Sequence, residues 1–283
     1  MGDAPLTVGS WALGRRLARY RDERDLTGTA VAKALGVSQP TVTRIEKGKH
    51  RLTTVQLKKL CKLYSVTRDE AAELESARVL AQQPDWRQDY GRLLDGPLGD
   101  VLGIETGARR IRMHSGELVP GLLQTEEYTT ALMVEAPYIR ATEVKRRVEL
   151  RMRRQEGVIS GSQELVVTLG EAAVREAIGG PAVMRRQLAH LREQAAKPNI
   201  MIRLKPFAAG AHAALGSPFS ILEFDADMDL PTVVAVETMT SVLIYEQTHQ
   251  VETYTQSYDM LMAKALGEVD TIEHLEKIGR NTK

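Results

Sequence analysis

The sequence has a single cysteine, Cys61, so neither an intrachain disulfide nor a cysteine-rich metal site can be built within one chain. Aromatic residues are scarce, with three Phe, two Trp and eight Tyr in 283 residues, which argues against an aromatic-lined sandwich and leaves Leu, Val, Ala and Met to fill the core. The longest stretch free of Asp, Glu, Lys and Arg is the 17 residues Pro206–Leu222, interrupted by Gly210, Gly216 and Pro218, which makes no membrane span. No basic-then-apolar secretion signal opens the sequence. The six histidines, His50, His114, His190, His212, His249 and His274, include no pair at the i, i+4 spacing of a helical metal site. A glycine-rich phosphate loop and a Gly-x-Ser-x-Gly elbow are also missing. The expectation is a cytoplasmic protein that is not an enzyme and has no catalytic residues, metal or cofactor. Lone histidines read as surface or core residues, and Glu105, Glu171 and Glu237 as caps or ion-pair partners.

Hydrophobic residues make up 43% and charged residues 27% of the chain, close to a soluble globular average. The length suggests two domains at roughly 100–200 residues each. The formal net charge of +1 is unevenly spread: residues 1–83 carry +6, Arg15–Lys62 alone +9, and residues 84–283 carry −5. Either a polyanion-binding head precedes a body with another task, or the basic segment is an ordinary solvated face.

Helix signals are dense in the first 80 residues. Ser10 is placed to cap a helix to about Arg24, with Trp11, Leu13, Leu17 and Tyr20 at helical spacing. Thr27 caps a second helix ending at Gly36. Ser38 caps a third, with Pro40 in its first turn and Gly48 past its end. Thr53 with Gln56 and Thr67 with Glu70 match the capping-box spacing and open helices to about Tyr64 and Ala81. The predicted domains are an all-α five-helix head at 10–81, a linker at 82–97 and a larger α+β domain at 98–283. In the last of these, helices are predicted after Thr125, over Thr142–Glu156, Glu171–Ile178, Pro181–Ala196, Gln247–Leu266 and Val269–Ile278. Strands are predicted over Glu164–Leu169, Asn199–Leu204, Pro218–Phe224, Thr232–Val236 and Val242–Tyr245, and Leu98–His114 mixes short helix with a possible strand.

Thr27–Gly48 is the informative segment. Val31 and Leu35 share one face of the first helix, Val42 and Ile45 one face of the second, and Val37 fits the corner between them. Ala32 is small where the helices approach, and Gly36 can take the positive φ that leaves the first helix. This is helix-turn-helix geometry. The outward face of the second helix carries Gln39, Thr41, Thr43, Arg44 and Lys47, all able to meet base edges or phosphates. Over about residues 10–81 the sequence resembles the repressor-type helix-turn-helix family, which includes the phage repressors and the Xre-like regulators. That resemblance implies base reading by Gln39, Thr41, Thr43 and Arg44, and phosphate contacts from Thr27, Thr29, Ser38, Lys47, Lys49 and Arg51. It also implies a structural pair between Arg21 and Glu46. Gly28 stands where the family often carries a Gln that braces the base-reading Gln.

Farther along, Glu105, Ala108, Val119-Pro-Gly-Leu-Leu-Gln-Thr125, Tyr128, Arg147–Gln155, Val183-Met-Arg-Arg-Gln-Leu188 and Gly216-Ser-Pro-Phe219 resemble the C-terminal domain of many actinomycete regulators. No biochemical activity is assigned to that family, and the resemblance implies a transcription regulator, often with a small acidic protein encoded nearby. Arg147, Arg151 and Arg154 share one helix face, which is either a dock for an acidic partner or anionic ligand, or a surface face paired with Glu143, Glu149 and Glu156. The leading expectation is a homodimeric, sequence-specific transcriptional regulator, nucleoid-associated when bound to DNA and without membrane association. Its DNA-binding head at 10–81 binds an inverted-repeat operator in double-stranded DNA, and its regulatory and dimerisation domain at 98–283 binds a partner protein or ligand. The alternative is an antitoxin-like switch that binds a small partner from a neighbouring gene and autoregulates.

Overall fold

The computed structural model describes residues 4–83, 86–94, 96–214, 216, 218–238 and 241–282. It divides into two compact units, Met1–Gly107 with Asp225–Leu230, and Ala108–Phe224 with Pro231–Lys283.

The first unit is helical: α1 (Val8–Asp22), α2 (Gly28–Leu35), α3 (Gln39–Glu46), α4 (Thr54–Leu63) and α5 (Arg68–Ala81), then a 3₁₀ stretch at Trp86–Leu94 and α6 (Pro97–Glu105). Threonines start four of these helices. Thr27, Thr53 and Thr67 accept hydrogen bonds from the backbone N–H three residues on, each worth about 1 kcal/mol to its helix. Ser10 does not cap α1. Thr7 does, and Ser10 closes the capping box by accepting from the Thr7 N–H. Ser38 occupies the cap position of α3 without bonding to that helix's N–H groups. Gly36 takes the left-handed conformation, φ 73°, that ends α2 and lets Val37 turn the chain into α3. Gly14 lets α1 cross the end of α3, since a Cβ there would stand 2.5 Å from the Glu46 carbonyl oxygen. Leu17, Val31, Leu35, Val42, Ile45, Leu57, Leu60, Tyr64 and Leu74 form the core beneath the helix-turn-helix. Each buried Leu or Ile contributes roughly 1.5–3 kcal/mol.

The second unit is a mixed α/β domain. It runs β1 (Arg110–Ser115), α7 (Glu126–Glu135), α8 (Ala141–Arg154), α9 (Glu156–Ile159), β2 (Glu164–Gly170), α10 (Glu171–Arg175) and α11 (Pro181–Ala195). It continues with β3 (Ile200–Lys205), β4 (Phe219–Glu223), β5 (Val233–Glu237), β6 (Val242–Tyr245), α12 (Thr248–Met262) and α13 (Glu268–Asn281). The six strands form one sheet in the order β3-β2-β1-β4-β5-β6. β1, β2 and β3 are parallel, and β4, β5 and β6 continue antiparallel from β1. Helices on both faces explain why β2 is buried from Leu165 through Leu169 without alternation. Val166, Phe219, Ile221, Val234 and Val236 pack with Tyr258 and Leu261 of α12, and the Tyr258 hydroxyl donates to the Val166 carbonyl at 2.9 Å. α11 and α13 pack together and against β3.

Candidate nucleic-acid interface

α3 owes its placement to contacts on its inner side. Val42 and Ile45 are buried in the helical core. Glu46 accepts from Arg21 of α1 at two points, 2.6 Å to Nε and 3.2 Å to Nη2. This pair holds the Arg21 guanidinium above its usual pKa range, and Arg21 also donates to the Leu26 carbonyl at 3.3 Å, before α2 begins. One guanidinium therefore ties α1 to α3 and to the loop that enters α2.

The outer side of α3 is polar and divides into two edges. On one, Gln39 is exposed and its Nε2 donates to Thr43 Oγ1 at 3.4 Å. The Gln39 side chain lies over Gly28, where a Cβ would stand 3.6 Å from its Nε2. Gln39 thus occupies the space beside α2, steadied by its own helix. On the other edge, Ser38 and Thr41 share a hydroxyl hydrogen bond of 3.0 Å. Thr41 and Arg44 then line an open groove of about 790 Å³ with Lys49, His50 and Arg51.

The residues expected to hold phosphate differ in their engagement. Thr27, Thr29, Ser38, Lys47 and Arg51 are exposed. The Thr27 oxygen accepts from the Ala30 N–H at 3.2 Å, which leaves its hydroxyl hydrogen to donate. Lys49 is half-buried and ion-paired with Asp100 at 2.6 Å, so a phosphate would compete with a carboxylate there. His50 was not singled out by sequence although it sits inside the run Lys47-Gly-Lys-His-Arg51. Burial, together with the charge of Arg44, holds its imidazole below the ordinary histidine pKa.

The arginine row of α8 does not form one free surface. Arg147 donates to Glu143 one turn back, at 2.9 and 3.1 Å. Arg151 turns inward, donating to Gln124 Oε1 at 2.7 Å. Burial, with the charge of Arg154 beside it, pushes its guanidinium pKa down to about 10. Gln124 belongs to a buried amide network that fixes the Val119–Thr125 turn. Its Nε2 donates to the Val119 carbonyl at 2.6 Å and its Oε1 accepts from Thr129 at 2.9 Å. Gln155 Nε2 reaches the carbonyls of Gly121 and Gln124 at 2.8 and 2.9 Å. Gln187 accepts from the Thr125 N–H and donates to the Leu123 carbonyl, both at 2.7 Å. The Tyr128 hydroxyl accepts from the Val119 N–H at 3.2 Å. Three glutamines and a tyrosine from the recognised sequence segments thus converge on one turn, so much of that pattern is structural. Ser217 of the Gly216–Phe219 segment lies outside the described residues.

Among the described residues no group of three His, Cys, Asp or Glu side chains is placed to hold a metal ion. No described helix is long and apolar enough to cross a membrane. A helix-turn-helix domain model matches residues 12–74, making the chain a DNA-binding regulator. A model for a domain of unknown function, DUF5753, matches residues 98–277. No curated protein and no solved structure matches the chain. The chain therefore belongs to the DUF5753 family, with a helix-turn-helix domain ahead of the family domain.

Proposed function

We propose that the protein is a sequence-specific transcriptional regulator that binds an inverted-repeat operator as a homodimer and does so without catalysis. The observation that carries this reading is the outer side of α3, where Gln39, Thr41, Thr43 and Arg44 are all polar while the inner side is buried and pinned by the Arg21–Glu46 pair. In such a motif the second helix enters the major groove with its N-terminal residues first, which brings Gln39 to the bases ahead of Arg44. Gln suits adenine N6 and N7, and Arg suits guanine O6 and N7. Lys47 and Arg51, both exposed, are the foremost phosphate anchors, with Thr27, Thr29 and Ser38 at the starts of α2 and α3. Lys49 contributes only by exchanging Asp100 for phosphate.

One recognition helix gives little discrimination against competing genomic DNA, and a second copy doubles the contacts. Capture of genomic DNA fragments by the purified full chain tests the reading. The expected result is an enriched inverted repeat with half-sites about 10 bp apart, or a multiple of that. Light scattering on the bound complex should give two copies per site. A monomer on a non-repeated site removes the dimer, and the absence of any enriched sequence removes specific binding altogether.

A further inference from the structure

The three parallel strands of the second unit end together. Ser115 closes β1, Gly170 closes β2 and Lys205 closes β3, and a cleft of about 350 Å³ opens beyond them. In open sheets with parallel strands, ligands bind outside the carboxyl ends of the strands, where the topology changes direction. β1 is such a place, with parallel β2 on one side and antiparallel β4 on the other.

The cleft contains polar groups whose bonding is incomplete. Lys205 is 9% exposed and, among the described residues, has no ion-pair partner. The wall carries two carboxylates, the exposed Glu117 and Glu171, and Glu171 is already held by Arg175 at 2.6 Å and by the Phe207 N–H at 2.7 Å. His212 Nδ1 is buried with no hydrogen-bond partner among the described residues. His114, 4% exposed, stacks edge-on against His212 with ring centroids 5.3 Å apart. Its Nδ1 lies 3.2 Å from the Thr168 carbonyl, which only accepts, so Nδ1 carries the proton and Nε2 presents a lone pair. Phe207 and Leu118, 59% and 40% exposed, supply apolar walls at the mouth. A buried cation without a counter-charge is costly unless something pairs with it.

We infer that this cleft binds a small organic acid, whose carboxylate or phosphate oxygens pair with the Lys205 ammonium, whose hydroxyl or amine donates to a histidine, and whose apolar body rests on Phe207 and Leu118. The role of such a ligand as the effector rests on the regulator reading above; the binding itself does not. Volume, mixed lining and a few convergent polar groups fit a small-molecule site.

Calorimetric titration of the full chain with 4-hydroxybenzoate, phenyl phosphate and neutral benzyl alcohol tests it, while the His114 and His212 imidazole proton resonances report the location. At least one of the two anions should bind about ten-fold or more tightly than benzyl alcohol and shift both imidazoles, and the stronger of the two names the head group. Lys205→Met should weaken that anion by about ten-fold or more. If this variant does not fold, His212→Ala and Phe207→Ala, both changes at less buried positions, should each weaken binding several-fold. Anions no better than benzyl alcohol, full affinity in Lys205→Met, or full affinity in both substitute variants would each overturn the site. Specific DNA capture reads the other unit, so anion binding without operator binding leaves this site standing and removes only the regulator reading.

Discussion

Arg21 and Glu46 meet in a two-point ion pair, Nε to Oε1 at 2.6 Å and Nη2 to Oε2 at 3.2 Å, with their side chains only 20% and 16% exposed. Charge-assisted bonds in such a setting are worth about 1.5–3 kcal/mol, above the usual surface pair. Arg21→Ala should lower the unfolding free energy of the helical unit by about 1–3 kcal/mol. The pair also sets how far α3 stands from α1, so operator affinity should fall although neither residue is among those proposed to touch DNA. A double-mutant cycle with Glu46→Ala measures the coupling. A coupling near zero would show that the two helices are held by the Val42 and Ile45 packing alone.

At the interface itself, substitutions should separate into two classes. Gln39→Ala and Arg44→Ala should each weaken operator binding by about 1–3 kcal/mol and relax preference at one base position. Arg51→Ala should weaken operator and random DNA alike and lower the salt slope by about one. Lys49→Ala should do less than Arg51→Ala, because its charge is already opposed by Asp100. Fluorescence anisotropy across salt concentrations with operator and scrambled duplexes distinguishes these outcomes. An Arg44→Ala chain with unchanged affinity and unchanged base preference would mean that α3 does not enter the groove as proposed.

Much of this architecture was legible because its signals are local. Thr27, Thr53 and Thr67 each cap within three residues of themselves, and Gly36 ends α2 by its own φ. The misreading at Ser10 has the same origin: Thr7 and Ser10 form one reciprocal box, and either hydroxyl alone looks like a cap. Strands β2 through β6 stood out as short apolar runs that each carry Val or Ile. β1 was only a possible strand, because it is six residues long and carries Arg112 and His114 on a face that a central strand of a covered sheet buries. Arg112 is accommodated on the covered face by Glu223 at 2.9 Å and by the Tyr258 ring. What sequence cannot show is convergence over distance. Gln124, Gln155 and Gln187 lie about thirty residues apart and meet only after α7, α8 and α11 pack. His114, Lys205 and His212 meet only through the strand order.

The glutamine network makes a prediction that separates structural residues from surface ones. Gln187 is fully buried and satisfies one backbone N–H and one carbonyl of the turn. Gln187→Leu keeps the approximate volume and strands both groups, so it should cost about 2–4 kcal/mol in urea unfolding of the second unit. Arg147→Ala removes only an i, i+4 pair with Glu143 and should cost about 0.5 kcal/mol. If the Gln187→Leu midpoint matched the wild type, the turn would not depend on these bonds.

His114 gives the stability a direction in pH. Burial, with the positive charges of Lys205 and any protonated His212, pushes its imidazole down to about 4, against a smaller opposing effect from the Thr168 carbonyl. The unfolded chain regains an ordinary histidine near pH 6.5. Between these values the unfolded chain holds one proton more than the folded chain, so stability is fully present above pH 6.5 and falls as pH drops toward 4. The whole contribution is roughly 3 kcal/mol, of which about 2 kcal/mol is lost between pH 7 and pH 5. The lowered imidazoles of His50, His190 and His212 act in the same direction, so wild-type slopes alone do not isolate His114. Comparison with His114→Gln does, since an amide donor can still reach the Thr168 carbonyl and does not titrate. Urea unfolding at pH 7 and pH 5 should show the variant losing about 2 kcal/mol less than the wild type over that interval. Equal losses in the two chains would place the His114 imidazole in contact with water and open the cleft floor to solvent.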